Sequence, residues 1–93
     1  MLQMTLTIRG KVQKVGFRYG VVDYVMTQKL PIVGSIRNLP DGSVEVIAQG
    51  EIEALKQLHR FCTKGPPHAE VREVDEDVQQ ITKLNFSEFT IIG

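Results

Sequence analysis

What most constrains this chain is a hairpin with a helix on either side of it. Residues 32–39, Ile-Val-Gly-Ser-Ile-Arg-Asn-Leu, read as one strand and Ser43–Gly50 as the next. In the second of these, Val44, Val46 and Ala48 face one way, while Glu45, Ile47 and Gln49 face the other. Pro40-Asp41-Gly42 joins the two: proline presets φ for the turn, and glycine is free to take positive φ. Ahead of the hairpin, residues 18–30 are predicted as a helix that stops at Leu30-Pro31, because the residue before proline leaves the helical region. Val21, Val22, Tyr24 and Val25 would also suit a strand, and Gly20 weakens both readings; length and the proline stop favour the helix. Behind the hairpin, Glu51–Cys62 carries a stripe of Ile52, Leu55, Leu58 and Phe61 or Cys62, with charged residues opposite. Lys64-Gly65-Pro66-Pro67 ends that helix.

The two ends of the chain complete the pattern. Residues 2–9 alternate, Met4, Leu6 and Ile8 against Gln3, Thr5, Thr7 and Arg9, and are predicted as a strand. A further strand is expected around Ala69–Val74, then an exposed charged connection over Asp75–Gln80, and a last strand over Leu84–Ile92. The apolar phase of that last segment slips between Phe86 and Phe89, which suggests a bulge or an irregular edge. The order is β-α-β-β-α-β plus a short extra strand. It points to an α+β, ferredoxin-like two-layer sandwich, an antiparallel sheet with two helices on one face.

Composition sets the outer limits. The 93 residues are expected to form a single domain, and at 42% hydrophobic they can fill one core. Lys+Arg and Asp+Glu are equal at 11 each, a balance that argues against a nucleic-acid or acidic-membrane partner. One cysteine, Cys62, leaves no intrachain disulfide and no cysteine metal cluster; it reads as a packed thiol. His59 and His68 lack metal-ligand spacing and read as surface residues. With neither a signal-like block nor a membrane-length run, the expectation is a cytoplasmic monomer without cofactor or metal.

The segment Gly10-Lys11-Val12-Gln13-Lys14-Val15-Gly16-Phe17-Arg18 lies between the first strand and the first helix. A strand-to-helix turn leaves backbone N–H groups without intrachain partners, and the helix dipole adds partial positive charge there. With Arg18, Lys11 and Lys14 nearby, the loop suits a small tetrahedral anion; a plain polar connection is the other reading. In a split β-α-β the first two strands run parallel with the third between them. Gly10 and Asn38 then end on one rim, ~10 Å apart, enough for an anion and one water. A carboxamide can donate and accept together, as orienting a water requires, although Asn is also common before a turn.

Two patterns in these residues resemble the acylphosphatase family. The segment Gly10–Arg18 is similar to its phosphate loop, G-x-V-Q-G-V-x-F-R. Gly34-Ser35-Ile36-Arg37-Asn38-Leu39-Pro40-Asp41-Gly42-Ser43-Val44 resembles its second pattern: glycine, an aromatic, a basic-Asn pair, then G-x-V three residues on. Gly50 and the Phe86…Phe89 ending also fit. The resemblance implies hydrolysis of acyl phosphates to carboxylate and inorganic phosphate, without metal or covalent intermediate. It implies that Arg18 grips the phosphate beside the backbone amides of Gln13, Lys14, Val15, Gly16, Phe17 and Arg18, and that Asn38 positions the attacking water.

Two positions depart from the family. Lys14 stands where glycine is usual; if positive φ is needed there, Gly16 could relieve part of the strain, and Lys14 could aid acidic substrates. Ser35 replaces the aromatic, so some surface packing is expected to be missing. The alternative function is a catalytically weak anion-binding or interaction domain of the same fold. An RNA-recognition module would want aromatic rings at the open-face positions, which hold Thr5, Thr7, Glu45 and Ile47.

Overall fold

Alternating side chains place the first strand, β1 (Leu2–Lys11), with Met4, Leu6 and Ile8 buried and Thr5 and Thr7 on the opposite face. The computed structural model describes residues 1–93. After β1 come α1 (Phe17–Thr27), β2 (Val33–Asn38), β3 (Val44–Gly50), α2 (Ile52–Lys64), β4 (Glu70–Gln80) and β5 (Phe89–Ile91). The strands form one sheet in the order β4-β1-β3-β2-β5. β3 runs antiparallel to both β1 and β2, so β1 and β2 are parallel and end on the same rim, as the split β-α-β requires.

The core lies between this sheet and the helices. Met4, Leu6 and Ile8 pair with Ala48, Val46 and Val44 across the β1–β3 ladder. Over them pack Phe17, Val21 and Val25 from α1 and Ala54, Leu55, Leu58 and Cys62 from α2, all in one buried cluster. Each large side chain fully withdrawn from water contributes about 1.5–3 kcal/mol. The stripe expected on α2 holds at Leu55, Leu58 and Cys62, whereas Ile52 is exposed at its start. Phe61 leaves the stripe to stack on Tyr24 of α1, ring centroids 4.1 Å apart. Gly20 lets α1 lie close to the loop that follows α2: a Cβ there would lie 2.8 Å from Cβ of Pro66.

Four expectations need correction. Helix α1 ends at Thr27, before residue 30, because Lys29 takes φ 52° and closes a Schellman motif. In it Lys29 N–H donates to Met26 O and Leu30 N–H to Val25 O. Asp75–Gln80 is no connection; it is the second half of β4, in register with β1 from Leu2↔Gln80 to Thr7↔Asp75. An edge strand gives one side and one face to water, so its residues read as a solvated loop. Arg9 meets the acids from β1, pairing with Asp75 and Glu73. The last strand is only Phe89–Ile91, and it runs parallel to β2, which makes the sheet mixed.

The irregular stretch before β5 covers part of the open face. Gln49, placed there by the alternation, is buried under Asn85. Its Nε2 donates to Gln3 Oε1 at 2.7 Å and Asn85 Oδ1 at 3.0 Å, and its Oε1 accepts from Asn85 N–H at 2.8 Å. Ser35 is buried too, flanked in the ladder by Ile47 and Thr90. The small side chain lies in a covered place, so no open surface gap results.

Candidate active site

The loop between β1 and α1 has a specific backbone shape. Lys14 has φ 63° and Gly16 φ 77°, while Gln13 and Val15 keep negative φ. Alternation of right- and left-handed residues turns successive N–H groups into one concavity, the backbone shape called a nest. None of the N–H groups of Gln13, Lys14, Val15 and Gly16 donates to the protein. The N–H groups of Phe17, Arg18 and Tyr19 continue this row, since the first turn of a helix has no intrahelical partners for them. The Phe17 ring is buried in the core and fixes where α1 begins. Left-handed geometry costs a non-glycine residue about 1–2 kcal/mol, so Lys14 carries strain that Gly16 does not remove; Gly16 meets a second demand of its own as N-cap.

The start of α1 has no acidic side chain of its own, and Gly16 offers no side-chain cap. Lys11, Lys14 and Arg18 form no ion pair with any acid. Arg18 is steered from one side only: its Nη1 donates to Gly93 O at 2.7 Å. The chain reaches that point because β5 follows β2 in parallel and Ile92 N–H donates to Ile36 O at 3.0 Å. Gly93 therefore sits at the rim where β2 ends, and so does the Arg18 guanidinium.

Asn38 is the last residue of β2 and pairs with Val44. It thus points to the helix side of the sheet, the side on which Val44 is buried. Its Oδ1 is buried without a hydrogen-bond partner, the only such side-chain atom in the protein. A buried acceptor left unpaired costs about 1–3 kcal/mol, which a bound water would recover. The rim thus joins an amide cradle, a guanidinium and an unsatisfied carboxamide.

A feature that pattern reading missed links these parts. The Gln13 side chain turns away from the cradle, and its Nε2 donates to Leu39 O at 2.8 Å and Ser43 O at 2.9 Å. The turn so held is closed from within: Asp41 Oδ1 accepts from Ser43 N–H at 3.0 Å and Ser43 Oγ at 2.5 Å. The Ser43 hydroxyl and N–H together hold the Asp41 carboxyl below its ordinary range. Cys62 takes no part: burial pushes its thiol up to about 12 and the core encloses it. His59 lies far off on α2, 3.7 Å from Glu76, and His68 is exposed.

Comparison with known proteins bears on the whole chain. The acylphosphatase family model matches residues 4–91. An acylphosphatase of Acaryochloris marina is 46% identical over 74 residues, 80% of this chain and 77% of that protein. One from Deinococcus radiodurans is 41% identical over 83 residues, 89% of this chain and 93% of the other. The crystal structure of acylphosphatase from Bacillus subtilis superposes with a TM-score of 0.90 at 30% identity, covering 100% of both chains. The likeness in sequence runs through the loop and the Asn38 turn, and the likeness in shape runs from end to end: the chain belongs to the acylphosphatase family.

Proposed function

We propose that this protein hydrolyses the carboxyl–phosphate bond of acyl phosphates at the rim shared by the phosphate-binding loop and Asn38. The phosphoryl group sits in the nest, its oxygens accepting from the backbone N–H groups of Gln13, Lys14, Val15, Gly16, Phe17 and Arg18. The Arg18 fork contacts two of the oxygens, which its planar geometry suits better than a lysine ammonium would. Asn38 accepts a hydrogen from water through Oδ1 and so aims that water's oxygen lone pair at phosphorus, in line with the leaving carboxylate.

Phosphoryl transfer of this kind needs positioning and charge stabilisation more than covalent help. A carboxylate leaves without protonation, and the water's proton passes to a phosphate oxygen. The observation that carries this reading is the pairing, on one rim, of the unsatisfied N–H groups of Gln13–Gly16 with the unpartnered Asn38 Oδ1. The rest of the reading is a cytoplasmic monomer, one domain over residues 1–93, that takes no nucleic acid or membrane as partner.

Steady-state hydrolysis of benzoyl phosphate tests it. Turnover is expected to survive chelator and to be inhibited competitively by inorganic phosphate. Arg18→Ala is expected to lose both phosphate affinity and rate, about 10²–10³-fold in kcat/KM, whereas Asn38→Ala loses mainly kcat. Phosphate binding without turnover in the wild type would instead make the protein an anion-binding module.

A further inference from the structure

We propose that the Gln13 side chain is a positioning residue that sets the aim of Asn38 relative to the bound phosphate. This rests on the role given to Asn38 above. The Asn38 carboxamide makes no hydrogen bond to the protein, and its Oδ1 is buried and unpartnered. Its direction therefore depends on where the end of β2 is held. Leu39, the next residue, is held by the turn: Leu39 N–H donates to Ser43 O at 2.8 Å, and Gly42 N–H donates to Leu39 O at 3.1 Å.

Each of those two carbonyls has one lone pair left, and the two hydrogens of Gln13 Nε2 take them, at 2.8 and 2.9 Å. Gln13 thus faces two ways. Its N–H belongs to the phosphate nest, and its side chain fixes, with a two-point fork, the segment next to Asn38. One residue sets the spacing between the group that holds phosphate and the group that holds water. An in-line attack is sensitive to that spacing: a misplacement of ~1 Å can cost about 100-fold in rate.

The test is a double-mutant cycle on benzoyl phosphate hydrolysis with kcat and the phosphate inhibition constant read separately. Gln13→Met keeps the length of the side chain and removes both donors. We expect kcat to fall about 10–100-fold with the phosphate constant changed less than about 3-fold. In an Asn38→Ala background the same substitution is expected to cost less than about 3-fold further, since the two residues act through one water.

A full additional loss in that background, or a phosphate constant that rises in step with the fall in kcat, overturns the tether while leaving Asn38 its role. A normal rate in Asn38→Ala overturns both readings. Gln13→Glu supplies a second arm should Gln13→Met not fold. Its carboxylate has no donor, but the neutral acid regains one O–H, so its deficit against the wild type is expected to narrow as pH falls through the carboxyl range. A deficit that stays constant with pH overturns the proposal.

Discussion

The two helices pack on the same sheet but begin in opposite ways. α2 starts at Glu51, carries Glu53 in its first turn and Lys64 in its last, so its own side chains complement its dipole. α1 starts at a glycine in left-handed conformation, with no acid in its first turn and no base in its last. Both leave their first N–H groups without side-chain caps. The difference is what faces those groups. At α2 it is the chain's own acidic charge; at α1 it is a row of free loop amides, Arg18 and the end of β2. One N-terminus is complemented by its own side chains, and the other is left open, which is where the proposed function seats the anion.

Substitutions on the two helices should therefore separate stability from affinity. The largest expected effect is on α2. Leu58 is fully buried, and Leu58→Ala should cost about 2–5 kcal/mol in denaturant melts while the rate per folded molecule stays unchanged. A rate loss in the folded fraction would mean that α2 takes part in the chemistry.

On α1, Tyr19 is exposed in the first turn. Tyr19→Glu should raise the phosphate inhibition constant about 2–5-fold, since it supplies the negative charge that the first turn of α1 otherwise lacks, and should leave the melting point equal or slightly higher. The mirror change on α2, Glu53→Lys, should cost about 0.3–1 kcal/mol of stability with no change in phosphate affinity. Equal effects of Tyr19→Glu and Glu53→Lys on phosphate affinity would erase the contrast between the helices.

The smallest expected effect is at the turn beside Asn38. The Ser43 hydroxyl and N–H lower the Asp41 carboxyl, so Asp41 contributes stability that is present above its unfolded range and lost as pH falls through its folded one. Removing one of those donors in Ser43→Ala should shrink this acid-side loss slightly. Thermal melts of wild type and variant between neutral and acid pH check the sign.

How much of this could be read from the letters follows from what each residue faces. Met4, Leu6 and Ile8, and Val44, Val46 and Ala48, announce their strands because one face is dry and the other wet. The loop and Asn38 were legible because a spacing of residue types repeats a known arrangement, and topology then brings both to one rim. Asp75–Gln80 was hidden: an edge strand with little burial lacks the alternation that marks the others. Lys29 hid the end of α1 by standing in a left-handed slot that glycine usually marks. Nothing in the sequence could show that the Gln13 amide reaches across to Leu39 and Ser43, because a contact between residues that far apart in the chain leaves no local pattern.

The central claim is that the anion is held by the loop amides where α1 begins. Backbone amide NMR during titration with inorganic phosphate tests it most directly. The account predicts that the signals of Gln13–Arg18 and the Asn38 side-chain amide move together along one saturable curve, with the first turn of α2 unmoved. Largest shifts at Ile52–Leu55, or no saturable shift anywhere in the loop, would contradict it.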